Sequence, residues 1–357
     1  MRRLIWILIF GTISCIDPYI FDADEPIRML SVEGFITTGE GPHEIRLSRV
    51  ARYGPSFIGF NLPETRAAVL IKDDQGRVIE LIESESGVYK LPGGFRGQIG
   101  NSYNLEIKLQ NGKRYISRPE KLVSVPQVDS LSYRSVKTPT SNRFREEVGV
   151  QVTAYFQDPV EEENYYYWRP LESTFILVSE PDAEGTQGGT VASCCSRCFH
   201  KDVPKPANVI TVGDSEFNGT YQNRLIAYVV DNGMRFKETY RLDILHLSLS
   251  QGAHMFLNLV NQQLSLTGSV FDPPPANIRG NMICLDDPDE QVLGYFFASD
   301  VQLLRVYIEQ VNLEFYKIPQ AFSPYDCREY LRLMDPLGRN PVRPPLLPTN
   351  PPDDWDP

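Results

Sequence analysis

The chain has 357 residues, with 35 Lys and Arg against 46 Asp and Glu for a net charge of −11, and 41% of its residues are hydrophobic. That length predicts two or three domains, because single cores stop growing at roughly 250 residues. An acidic balance of this size excludes nucleic acid as the natural partner and leaves proteins and small molecules.

The first fifteen residues carry an address. Arg2 and Arg3 precede the apolar run Leu4 to Phe10, and Gly11, Thr12, Ile13 and Ser14 bring small or neutral residues up to Cys15. This is the order of a secretory signal, and the run is far shorter than the roughly 20 residues of a spanning helix. A cysteine directly after the cleavable segment is where a bacterial lipoprotein is cut and acylated, although Thr12 stands where a bulky aliphatic residue is commonest. An ordinary signal peptide and a retained hydrophobic N-terminus are the competing readings. Residues 1–14 are thus expected to be a signal peptide, Cys15 the lipidation site, and the acidic stretch 15–26 a tether.

From Arg28 the pattern is one of short strands. Met29 to Thr38, Glu44 to Ala51, Ala67 to Lys72 and Val78 to Ile82 are followed by the alternation of Leu105, Ile107 and Leu109 before the hairpin signal Asn111-Gly112. Strict alternation means one buried and one wet face, and evenly spaced short strands with no helical pattern between them predict an immunoglobulin-like β-sandwich over 27–125. Val125-Pro126-Gln127-Val128-Asp129 reads as a boundary. The second region, 126–335, is predicted to be a larger antiparallel β-domain, sandwich or barrel-like. Val148, Val150, Val152, Ala154 and Phe156 open it at period two. Tyr165, Tyr166, Tyr167 and Trp168 follow on one strand; Tyr165, Tyr167 and Trp168 are candidate ligand-stacking aromatics, although neighbours on a strand point to opposite faces and a half-buried aromatic strand is the simpler account. Between Tyr240 and Ser250 the apolar phase moves from Leu242 and Ile244 to Leu245, Leu247 and Leu249, which a bulge would explain. The single convincing helix spans Gln251 to Leu266, with Ala253, Phe256, Leu257, Val260 and Leu264 on one face and Ser250 as N-cap. Residues 336–357 form a Pro-rich tail, extended and either docked or mobile.

No catalytic motif names a reaction, and a non-enzymatic protein without cofactor or metal is the expectation. With Cys15 lipidated, Cys194, Cys195, Cys198, Cys284 and Cys327 remain in an oxidising compartment, which fits two disulfides and one thiol with the connectivity open. Cys195 and Cys198 with His200 could also ligate zinc, but a structural site normally draws on two separated ligand pairs. Asp286, Asp287, Asp289 and Glu290 lack the spacing of a calcium loop and read as a solvated turn. His43, His200, His246 and His254 are scattered; His246, in an apolar strand, is expected to be partly buried and hydrogen-bonded.

Several stretches, in order, resemble the Bacteroidota lipoproteins grouped as domain of unknown function 4249. They are Leu30 to Thr37, Gly87-Val88-Tyr89, Gly100 to Ile107, Val125 to Leu131, the Cys194 to Cys198 loop, Asp272 to Asn281 and Val292 to Ser299. The resemblance implies an outer-membrane lipoprotein encoded beside a TonB-dependent receptor, hence an accessory or ligand-binding partner of that transporter. An adhesion or envelope-structural protein is the alternative, and a metal-dependent hydrolase a more distant one. The family pattern usually has a further cysteine soon after the position of Cys327; its absence here makes Cys284 to Cys327 a substitute pairing.

Overall fold

The computed structural model describes residues 28–51, 62–140, 146–160, 163–179, 195–204, 209–266, 278–318, 326–334 and 344–357. Cys15, Cys194, the signal and the acidic tether lie outside them. The first part of the chain supplies β1 (Arg28–Thr37), β2 (Glu44–Ala51), β3 (Leu62–Pro63), β4 (Ala68–Asp73), β5 (Val78–Glu85), β6 (Val88–Lys90), β7 (Ser102–Lys108), β8 (Arg114–Ser117) and β9 (Glu120–Lys121). Next come β10 (Val128–Pro139), β11 (Glu146–Gln157), β12 (Tyr165–Pro170), β13 (Ser173–Val178), β14 (Arg197–Asp202), β15 (Ile210–Gly213), β16 (Tyr221–Val230) and β17 (Tyr240–Leu249). The helix α1 (Gln251–Leu264) is followed by β18 (Met282–Cys284), β19 (Leu293–Ser299), β20 (Val301–Ile308) and the short α2 (Tyr330–Leu333). The protein is mainly β, as its alternating pattern predicts.

The first sheet runs β18-β8-β7-β4-β5-β6-β2-β1-β19, with β3 beside β2 and β9 beside β7. Its two end strands come from far along the chain, so the sheet draws on residues beyond the 27–125 stretch. Asn281 nearly closes it into a barrel. The Asn281 side chain accepts from the Phe296 amide at 3.0 Å and donates to the Phe296 carbonyl at 2.9 Å, imitating a strand partner across the gap between β18 and β19. Leu30, Val32 and Ile36 of β1 fill the interior with Ile71, Leu105 and Phe296, all 0% exposed, while Ser31, Glu33 and Phe35 point outward. Each fully buried apolar side chain contributes roughly 1.5–3 kcal/mol. The pairing of β1 with β19 is parallel, from Ser31 opposite Leu293 to Thr37 opposite Ser299. Gly294 permits it: its φ is 86°, and a Cβ there would drive into the Val32 carbonyl.

The second part packs β10-β11-β16 against β14-β13-β17-β12-β15, with β20 along the other side of β17. Between them lies a core of Val152, Phe156, Trp168, Phe175, Ile226 and Leu242. The apolar phase change in β17 has a different cause from the bulge expected. Its register against β20 runs unbroken from Tyr240 opposite Ile308 to Leu247 opposite Val301, and nine of its ten residues are buried. A central strand covered on both faces needs apolar residues at both phases. One face looks into the second core; the other is covered at one end by the C-terminal tail and at the other by α1 and the first sheet. Ser250 caps α1, accepting from the Ala253 amide at 3.1 Å. At the junction of the two parts, Asp300 accepts from the Thr38 hydroxyl at 2.5 Å and the Val125 amide at 3.0 Å. It ties β1, the inter-sheet linker and the β19–β20 turn together.

Candidate ligand site

The outward face of β1 and β19 and the facing ends of β12 and β17 do not meet. Between them is a cleft of about 350 Å³, at the lower end of the roughly 300–1,000 Å³ of small-molecule sites. Phe35, Tyr295 and Phe297 line one wall, Tyr167, Leu247 and Leu249 the other, and Phe256, Leu257 and Val260 of α1 close the end. Alternation on the strands decides which residues arrive: Tyr167 and Arg169 of β12 face the cleft while Tyr166 and Trp168 enter the second core. The wall is a fitted aromatic cluster, with Tyr295 and Phe297 stacked at 4.8 Å and Phe256 at 5.1 Å from Tyr295.

The Tyr295 wall is anchored from behind by a buried carboxylate. Glu120, 4% exposed, accepts from the Tyr295 hydroxyl at 2.7 Å, the Ser250 hydroxyl at 2.6 Å and the Asn281 amide at 3.2 Å. Burial raises its pKa against the lowering effect of these three donors, and burial with the neighbouring carboxylate raises that of the Tyr295 phenol. One side chain thus joins the barrel seam, the helix cap and the cleft wall.

Two opposite charges stand at the mouth. The Arg169 guanidinium lies 4.9 Å over the Phe35 ring, and Glu33 projects from the strand that carries Phe35. Among the described residues neither has an ion-pair partner, although Arg46, opposite Glu33 in register, is paired with Glu44 at 3.1 Å. Burial raises the Tyr167 pKa, Arg169 lowers it and Glu33 raises it, so the hydroxyl lies within the field of both charges. A second recess of about 280 Å³ shares Glu33, Phe35 and Arg169 and continues toward Pro42, Arg46 and Leu171.

Of the candidate stacking aromatics, Tyr167 lines the cleft. Tyr165 lies on the same face but packs on His254 at 4.9 Å, and Trp168, 1% exposed, stacks on His246 at 5.2 Å inside the second core. The cysteines lie elsewhere. Cys198 is bonded to Cys327 across 129 residues, with Cα atoms 5.7 Å apart; Cys195 is also disulfide-bonded, and Cys284 is a buried free thiol. This replaces the implied Cys284–Cys327 pairing: β14 and the turn at Cys327 are neighbours, whereas Cys284 sits in the first sheet. It also removes Cys195 and Cys198 as thiolate ligands. His200 packs on Phe175 at 5.0 Å and Tyr330 at 5.3 Å, and the four histidines are not brought together. Asp286 and Glu290 are held by Arg114 and Lys113 of the neighbouring hairpin.

Sequence reasoning passed over Glu33, Phe35, Arg169, Tyr295 and Phe297 as site residues. The strand phase of Ser31, Glu33 and Phe35 was readable, but an outward phenylalanine does not say what it faces. No curated protein matches the chain. Residues 16–305 match the domain of unknown function DUF4249, a span that ends within β20 and leaves the tail outside, and the chain belongs to that family.

Proposed function

We propose that the protein is a non-enzymatic, lipid-anchored protein of the outer membrane that serves as the ligand-binding or accessory partner of a TonB-dependent transporter. The observation that carries the binding role is the preformed apolar cleft with an unpaired guanidinium at its mouth. A filled β-sandwich without such a concavity is what an adhesive or structural module would present. The signal-like Met1 to Ser14 and Cys15 support the location, and no helix among the described residues is long and apolar enough to cross a membrane. Extraction in gentle detergent from the native host is expected to recover a TonB-dependent receptor with the protein. Recovery of the protein alone, under conditions that keep known receptor complexes intact, counts against the partnership. Cys15→Ala is expected to fold normally and leave the membrane fraction; a variant still sedimenting with the outer membrane would exclude lipidation as the tether.

A further inference from the structure

We propose that the cleft binds a small zwitterion with an apolar body, an apolar α-amino acid or dipeptide, holding its carboxylate on Arg169 and its ammonium on Glu33. This rests on the reading of the cleft as a binding site and names what fills it. The walls are aromatic and aliphatic, so the body of the ligand is apolar, and the volume of about 350 Å³ limits it to a small molecule.

The head is set by the two charges. Arg169 is half-buried, and the partner it has, the Phe35 ring at 4.9 Å, offers a π face but no acceptor for its N–H donors. A guanidinium in that position is matched by a carboxylate, which can take two parallel hydrogen bonds from it. Glu33 faces the same opening without a cation, because Arg46 is engaged by Glu44. Simple fatty or aromatic acids would satisfy Arg169 and set a second negative charge against Glu33. An amine would do the reverse, and a neutral apolar molecule would desolvate both charges without replacing their hydration. Only a head with both signs matches both side chains. Tyr167 lines the same opening as both charges. The adjoining recess of about 280 Å³, which shares Arg169 and Glu33, leaves room for the second residue of a dipeptide.

Calorimetry on the purified full chain in detergent tests this with phenylalanine, leucyl-phenylalanine, phenylpropionate and phenylethylamine. One of the two zwitterions is expected to bind at least about tenfold more tightly than either single-charge analogue, as loss of one charge-assisted contact predicts. Arg169→Gln should weaken the zwitterion and phenylpropionate; Glu33→Gln should weaken the zwitterion and leave phenylpropionate unchanged or tighter. A zwitterion that binds no better than phenylpropionate, or that is indifferent to Glu33→Gln, overturns the assignment. Anilinonaphthalene sulfonate separates this from failure of the cleft itself. If the dye binds, is excluded by Leu257→Trp and is not displaced by any zwitterion, the ligand class is wrong and the cleft stands. If neither dye nor zwitterion binds, the binding-site reading falls with it.

Discussion

Single residues set the acid response of this protein. His246 is 0% exposed, enclosed by Phe156, Tyr166 and Trp168, with Gln302 of β20 opposite it in register. The sequence pattern places it in an apolar strand and suggests a satisfied, partly buried ring; it does not tell that three aromatic rings from other strands and its own sheet enclose it. Burial lowers its pKa from 6.5 to about 3. The native ring therefore stays neutral where the unfolded one takes a proton, and stability is lost as pH falls from 6.5 toward 3, at up to about 1.4 kcal/mol per pH unit. Glu120 acts with the opposite sign: burial raises its pKa above the usual carboxylate value, so the native state binds a proton first and its contribution weakens as pH rises from the unfolded value of 4.5 through the raised native one. Urea unfolding at pH 7 and pH 4.5 should show the wild type losing about 2 kcal/mol more than His246→Phe on acidification. Equal losses would mean that the buried ring is not the acid-sensitive group.

At the scale of elements, β17 organises the second half because both its faces are covered. On the face away from the core, Arg241 and Arg305 bind Asp243 and reach the tail at Asp354, at 2.8 Å and 2.7 Å. Hydrogen bonds from Arg241 and then Arg305 hold the Asp354 carboxyl at about 2. Trp355 packs edge-on against Phe199 at 5.1 Å and Tyr307 at 5.4 Å. The tail is a clasp over a buried arginine, pinned at one end by Leu347 in the second core and at the other by Asp354 and Trp355, which fits its Pro-rich, extended sequence: it needs reach and a few anchors, not a core of its own. Trp355→Ala is expected to cost about 1–2 kcal/mol, below the roughly 3–5 of a fully buried tryptophan because this ring is half-exposed. Limited proteolysis should then cut within 344–357 while leaving the rest protected; an unchanged cleavage pattern would show that the ring does not hold the tail. The helix needed less inference: Gln251–Leu264 falls within two residues of the span its period predicts, because cap and apolar face are both local signals.

The whole molecule is less divisible than its sequence boundaries suggest. Strands β18 and β19 leave the second half, complete the first sheet and lead straight into β20, so the two sheets are laced through residues 282–308. The cleft exists because of that lacing: Tyr295 and Phe297 belong to the first sheet while the strand after them pairs with the wall opposite. A fragment covering residues 27–125 is expected to lack a cooperative thermal transition, since β1 and β8 would each expose an unpaired edge and Phe296 would be missing from the core. Sharp, reversible melting of that fragment would show that the first sheet is self-sufficient.

By itself the sequence determined the β character, most strand positions, the helix and its cap, the acidic surface and the family, because alternation, turn chemistry and capping act over a few residues. Tertiary structure decided that β19 pairs in parallel with β1, that β17 is buried on both faces and that Cys198 rather than Cys284 meets Cys327. It also decided that Glu33, Phe35, Tyr167, Arg169, Tyr295 and Phe297 share one opening. Those facts depend on contacts between residues up to about 260 positions apart, and local patterns carry no information about which distant strand arrives at an edge.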